Sequence, residues 1–125
     1  MQRSLPALIA LVLLFSTVGW SADFWKGFKA YQRNDYATAL REWRPLAEQG
    51  HANAQSMLGV MCGEGKAIPQ NMVYAHMWLN VAASQGHEIA AEGRDLASKT
   101  MTLSQIEKAQ DLASECVEKK YKGCD

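Results

Sequence analysis

A 36-residue internal repeat constrains the fold of this chain more than any other feature. The tripeptide Gln-Gly-His at positions 49–51 recurs at positions 85–87, and Ala54 recurs as Ala90 at the same interval. A repeat of this length accommodates two helices and their turns, but it is too short for an independent domain. Because such a unit buries its apolar face only by stacking on the next one, the period predicts a helical solenoid.

The apolar residues between positions 24 and 116 are spaced as in helices. They recur at intervals of three and four residues, which places them on one face at 3.6 residues per turn. Turn-forming residues divide this stretch at positions 34–35, 50, 63–69, 86 and 99–102. Thr102 followed by Gln105 predicts a capping box for the last helix. We therefore expect an all-α protein of about six helices, arranged as a short α-solenoid of antiparallel pairs.

Glycines mark the turns of the repeat. Gly50 and Gly86 are expected to end the second helix of each pair in a left-handed conformation. Gly63 and Gly65 are expected to supply positive φ in the connection between paired helices. A phosphate-binding loop is excluded here, because the Walker pattern needs glycine at position 60 and serine or threonine at position 67, where the chain has valine and alanine.

The first 21 residues have the layout of a secretory signal peptide. Arg3 supplies a positive charge, an apolar run extends from Leu5 to Phe15, and small residues precede a predicted cut after Ser21. A membrane anchor is the alternative, but spanning a bilayer takes about 20 apolar residues. We expect cleavage, export to the periplasm or the medium, and no integral span in the mature chain. The expected division is signal peptide 1–21, helical domain 22–119 and C-terminal tail 120–125.

The charge balance of the expected mature chain argues against two classes of partner. Without Arg3, 12 of the 13 basic residues remain, against 13 acidic ones. A net charge near zero provides no electrostatic footprint for nucleic acid or for an anionic membrane. The expected partner is therefore an unidentified protein or peptide.

Three motifs in the segment 52–87 occur together: Ala-x-x-x-Leu-Gly, then Gly-x-Gly, then Ala-x-x-Trp followed by Ala-Ala-x-x-Gly. Their residues are Ala54, Leu58, Gly59, Gly63, Gly65, Ala75, Trp78, Ala82, Ala83 and Gly86. With them the chain resembles the Sel1-like repeat family, a relative of the tetratricopeptide repeats. Residues 31–50 resemble the second half of a preceding, degenerate unit, and residues 90–119 resemble a closing helical cap. Cys62 departs from the family, which usually has an aromatic residue at that position.

The resemblance implies an adaptor or scaffold that works outside the cytoplasm. With fewer than three full repeats, the chain is too short for a long binding solenoid. The rival interpretation is a binder of peptidoglycan fragments or β-lactam-like molecules, with weak or no hydrolysis. In the proteins that suggest this rival, disulfides bridge the helices of each repeat, whereas this chain has three cysteines and two of them lie near its C-terminus. A cap that works only within a homo-oligomer is a third possibility.

The cysteines allow several pairings. Cys116 and Cys124 are expected to form a disulfide in an oxidising compartment, with two free thiols as the alternative. Cys62 is expected to be a buried small hydrophobe, although a bridge between Cys62 and Cys116 stays open. No Cys-x-x-Cys or His-x-x-x-His spacing occurs, so neither a metal site nor a cofactor is predicted.

No catalytic constellation is recognisable in the sequence. The acidic residues are dispersed along the helices, and no nucleophile is accompanied by an identifiable base and orienting group. We therefore expect a binding protein and not an enzyme. Trp25 lies off the apolar stripe of its helix, which makes it a candidate contact for a partner. The alternative for Trp25 is a packing role at the end of the first helix pair.

Overall fold

The computed structural model describes residues 22–125, and this part of the chain contains six helices and no strand. They are α1 (Phe24–Gln32), α2 (Tyr36–Glu48), α3 (Ala52–Glu64), α4 (Met72–Ser84), α5 (Glu88–Ser98) and α6 (Leu103–Glu118). The predicted all-α class and number of helices are confirmed. The predicted signal peptide, 1–21, lies outside the described residues.

The repeated Gln-Gly-His tripeptide ends one helix and begins the next. Gly50 and Gly86 have φ values of 93° and 90°, the left-handed conformation expected after a helix C-terminus. His51 and His87 then act as N-caps of α3 and α5. Their Nδ1 atoms accept hydrogen bonds from the backbone N–H groups three residues further on, at 3.3 and 3.0 Å. The sequence repeat therefore encodes a helix-to-helix turn.

The helices α1 and α2 form a pair that crosses like α3 and α4, although the sequence repeat predicted only the second half of this unit. A Cβ on Gly27 would lie 2.6 Å from Nε1 of Trp43, and a Cβ on Gly59 would lie 2.8 Å from Cγ of Leu79, so both pairs cross at a glycine. Trp43 and Leu79 are one 36-residue period apart, but the glycines are only 32 apart. The connection in the first pair is shorter, residues 33–35 against residues 65–71. This deletion obscures the match of α1 with α3.

The main core lies between the helix pairs and α6. Its largest fully buried side chains include Trp43, Leu58, Met61, Met77 and Trp78. A smaller cluster of Leu79, Ala82 and Ala90 joins α4 to α5. Fully burying one large apolar side chain stabilises a fold by about 1.5–3 kcal/mol, so these clusters hold the short helices together.

The last helix departs from the solenoid stacking, because α6 packs mainly against α4. Cys116 at its C-terminal end is disulfide-bonded to Cys124, as predicted, with a sulfur–sulfur distance of 2.06 Å. The segment 120–125 packs on the helices. Lys122 Nζ donates a hydrogen bond of 2.8 Å to the carbonyl oxygen of Glu48. Asp125 accepts hydrogen bonds from Arg44, at 2.8 Å, and from the Trp78 indole, at 3.3 Å.

The connection between α3 and α4 differs in one detail from the prediction. Gly65 has a φ of 70° and ends α3 in the expected left-handed conformation. Gly63 does not have a positive φ; it lies inside α3, where its Cβ position is 3.5 Å from Cβ of Ala75. Ala67 supplies the second positive φ of this connection, 63°. Between residues 22 and 125, no helix has the length and apolarity to cross a membrane.

Candidate peptide-binding groove

An open groove of about 440 Å³ lies between α3 and α5, with α4 as its floor. Its lining residues are Ser56, Gly59, Val60, Gly63, Glu64, Met72, Ala75, Leu79, Ile89, Gly93, Leu96, Ala97 and Thr100. Most of this surface is apolar, and small side chains predominate. The groove is therefore suited to a ligand that contributes apolar groups of its own.

Close helix crossings form the floor of the groove. Leu79 on α4 contacts Gly59 on one side, while its Cδ1 lies 3.5 Å from the Cβ position of Gly93 on the other. A Cβ on Gly59 would also lie 3.0 Å from the carbonyl oxygen of Ala75. The approach of α3 to α4 therefore requires glycine at position 59, whereas the Gly93 contact on α5 is at ordinary van der Waals distance. The predicted repeat residues Gly59 and Ala75 thus act together to shape the floor.

Two large aliphatic side chains on α5 form one wall of the groove. Ile89 is 73% exposed and Leu96 is 62% exposed, although large aliphatic side chains are usually buried. They are seven residues apart, or two helical turns, so they lie on the same face of α5. Large apolar side chains grouped beside a groove typically mark an interaction surface.

Polar contacts position the two ends of the groove. At one end, the ring of His87 on α5 lies 2.7 Å from Asn53 Oδ1 on α3. Because Nδ1 of His87 accepts the α5 capping bond, the ring proton is on Nε2, and this N–H donates a hydrogen bond to Asn53 Oδ1. At the other end, the Tyr31 hydroxyl donates to the Glu64 carboxylate. Partial burial and the neighbouring Glu64 carboxylate raise the pKa of Tyr31 to about 12, so the phenol stays protonated as the donor.

A buried polar chain links the repeat units beneath the groove, and sequence reasoning missed it. Gln55 is fully buried, and its Nε2 donates to the carbonyl oxygen of Ala47, at 3.0 Å. Its Oε1 accepts a 2.7 Å bond from Nε2 of Gln85, a member of the repeated tripeptide. Because the amide nitrogen and oxygen of Gln55 both have partners, these hydrogen bonds offset the cost of burying the side chain and fix α2, α3 and α4 relative to one another. The position of Gln55 within the apolar stripe of α3 was the sequence feature that could have indicated this buried hydrogen-bond chain.

Trp25, the predicted partner contact, is 65% exposed and lies on α1, away from the lining of this groove. Its ring packs edge-on against Phe24 and Phe28, with centroid distances of 5.3 and 5.8 Å. Phe24 in turn packs against Trp43 and stacks on His51. Trp25 therefore adds an exposed aromatic surface at the end of the first helix pair, where it also packs.

Two titratable side chains, Cys62 and His76, are buried inside the fold, where burial favours their neutral forms. Burial raises the pKa of the Cys62 thiol to about 11, and the nearby Asp125 carboxylate adds to this effect, so Cys62 is protonated at neutral pH. His76 is 2% exposed, and its Nε2 lies 3.1 Å from the Ser98 hydroxyl. Burial, aided by Arg94, lowers the pKa of His76. In the range 22–125, no cluster of three His, Cys, Asp or Glu side chains could hold a metal ion.

Comparison with known proteins found no matching family model and no matching curated protein.

Proposed function

We propose that this chain is an exported Sel1-like repeat protein that binds an apolar segment of a partner protein in the α3–α5 groove. The observation that supports this most directly is the exposure of Ile89 and Leu96 beside a groove in which small side chains predominate. Fully burying each of these side chains under a partner would contribute about 1.5–3 kcal/mol to binding. The protein acts as an adaptor or scaffold and performs no catalysis.

The rigidity of the groove favours this role. Its helices are joined by the Asn53–His87 bond, by the buried hydrogen bonds of Gln55 and by the close crossing of Gly59 and Leu79. A preorganised surface loses less conformational entropy when a partner binds. Loops contribute little to the lining, because nearly every lining residue belongs to α3, α4 or α5.

Export is supported by two features at opposite ends of the sequence. The first 21 residues have the composition of a secretory leader. The Cys116–Cys124 disulfide is typical of proteins in oxidising compartments such as the periplasm. We assign the mature protein to the periplasm or the extracellular medium.

The composition of the groove disfavours the rival ligands, which are peptidoglycan fragments and β-lactam-like molecules. Such ligands carry many hydroxyl, amide and carboxylate groups that need hydrogen-bonding partners when they are buried. The side chains that offer polar groups in the lining are those of Ser56, Glu64 and Thr100. None of the three is a cation that would pair with a ligand carboxylate.

Site-specific photo-cross-linking in the native host tests this proposal. A photoreactive amino acid replaces Leu96 in one variant and Lys108 in a control, because Lys108 is exposed on α6 outside the groove. We expect irradiation to link one reproducible protein through position 96 and not through position 108. Mass spectrometry identifies the linked segment. Recovery of cell-wall saccharide–peptide fragments at position 96, or identical patterns at both positions, would contradict the proposal.

A further inference from the structure

We infer that the partner segment is a cationic amphipathic helix of about three turns, seated along the α3–α5 groove. This inference rests on the proposed function and specifies the kind of partner that the groove accepts. It follows from three features of the groove: its lack of backbone hydrogen-bonding groups, its length and the charges on its rim.

The backbone of the groove favours a helical ligand over an extended one. The residues of α3 and α5 that line it lie within helices, where backbone N–H and C=O groups bond internally. An extended peptide buried there would lose water without gaining partners for its own backbone groups, which is costly. A helix satisfies its backbone internally and presents only side chains, as amphipathic helices do in hydrophobic grooves.

The length of the groove sets the length of the ligand. The wall formed by α5 and the turn after it extends from Ile89 to Thr100, a distance of about 17 Å at roughly 1.5 Å per residue. A helix of about 12 residues matches this wall. Its apolar side chains would recur at i, i+3 or i+4, and i+7, the spacing that keeps them on one face. The short lining side chains of Ala75 and Ala97 leave room in the groove for large anchors such as leucine.

Acidic side chains flank the apolar surface. Glu92 is three residues after Ile89 and four before Leu96, so it lies beside both on the exposed flank of α5. Glu88 precedes it by one turn on the same flank, and Glu64 lines the groove on α3; all three are exposed. The basic residue exposed on this flank is Lys99. Arg94 is bonded to Asn80 and to Asp95, and the Asp95 carboxylate offsets its charge. The rim is therefore net negative and complements a ligand with lysine or arginine beside its apolar face.

Two synthetic helices test the inference on the full exported protein. One labelled peptide of about 12 residues carries leucines at i, i+3 and i+7 flanked by lysines, with a solvent-facing staple to hold the helix. The second has glutamates in place of the lysines. Fluorescence anisotropy should show the lysine peptide binding about fivefold more tightly or better, since exposed charge pairs each contribute modestly. Salt at about 1 M should reduce the difference.

Protein variants then show which acidic residue causes the preference for the lysine peptide. Glu92→Lys should abolish the preference for the lysine peptide, whereas Glu107→Lys on α6, exposed and outside the groove, should leave it intact. Equal affinity for both peptides, or no response to Glu92→Lys, would overturn the charge assignment. Equal binding of a proline-broken version would overturn the helix assignment. If neither peptide binds, the whole inference fails, while cross-linking at position 96 decides separately whether the groove binds a protein at all.

Discussion

Leu79 lies so close to Gly59 that a Cβ on the glycine would be 2.8 Å from Leu79 Cγ, and this contact sets the depth of the α3–α5 groove. The same relationship joins Trp43 to Gly27 in the first pair. Each glycine is thus a steric requirement of its helix crossing.

Gly59→Ala should destabilise the protein. The added methyl group meets both Leu79 and the backbone oxygen of Ala75, so the helices must shift, at a cost of about 1–3 kcal/mol. Gly63→Ala is the matched control on the same helix, since its methyl group would be 3.5 Å from the nearest atom. We expect Gly63→Ala to raise the free energy of unfolding by about 0.5–1 kcal/mol, because alanine favours the helix. Urea unfolding measures the stability of both variants. Equal changes in the free energy of unfolding for Gly59→Ala and Gly63→Ala would contradict the crossing geometry.

His87→Ala should remove the N-cap of α5. The imidazole Nδ1 accepts the backbone N–H of Ala90, and losing such a cap typically costs about 0.5–2 kcal/mol. His87→Asn should retain most of the stability, because asparagine is a strong N-cap residue. The free energies of unfolding of both variants provide the test. If the alanine variant were as stable as the asparagine variant, the repeated histidine would not act as a cap.

Cys124→Ser should release the segment 120–125 and lower the free energy of unfolding by about 2–3 kcal/mol through lost chain-entropy stabilisation. Cys62→Ser serves as the comparison, because Cys62 has no disulfide partner and is buried. Alkylation of the native, unreduced protein followed by peptide mass mapping should leave Cys116 and Cys124 unlabelled. Labelling of either residue under these conditions would argue against the bridge.

Stability should fall on acidification through His76. Its pKa is lowered in the fold, chiefly by burial, so the folded protein holds a neutral imidazole while the unfolded chain binds a proton near pH 6.5. The stabilising contribution is therefore complete above about pH 6.5 and is lost as the pH falls towards the folded pKa. The slope for this one group reaches at most about 1.4 kcal/mol per pH unit.

A His76→Gln variant isolates this dependence. Urea denaturation from about pH 7.5 to pH 5 measures the free energies of unfolding of both proteins. As the pH falls, the wild type should lose more stability than the variant. His51 and His87 are present in both proteins, so their contributions cancel in the difference. A pH-independent difference would show that His76 is not the responsible group.

Local patterns in the sequence predicted much of the architecture. The periodicity of apolar residues identified six helices, and the pair Thr102 and Gln105 identified the capping box that begins α6. Cys116 and Cys124 were also correctly paired. These features depend on residues within a few turns of one another, where spacing alone determines which groups can meet. The positive φ assigned to Gly63 was wrong, because a glycine also serves inside a helix where another helix comes close.

The 36-residue period accounts for the pair of α3 and α4 and for the Gln-Gly-His turns on either side of it, because these features are encoded within one repeat. The open groove depends on long-range packing instead. Between α1 and α3 the rings of Phe24 and Tyr31 pack against Trp43, while between α3 and α5 the small side chains leave an equivalent space unfilled. The anchoring of Asp125 on Arg44, 81 residues away, likewise has no signal in the sequence pattern. Periodicity identifies which face of a helix is buried, but only the assembled fold determines which neighbour covers it.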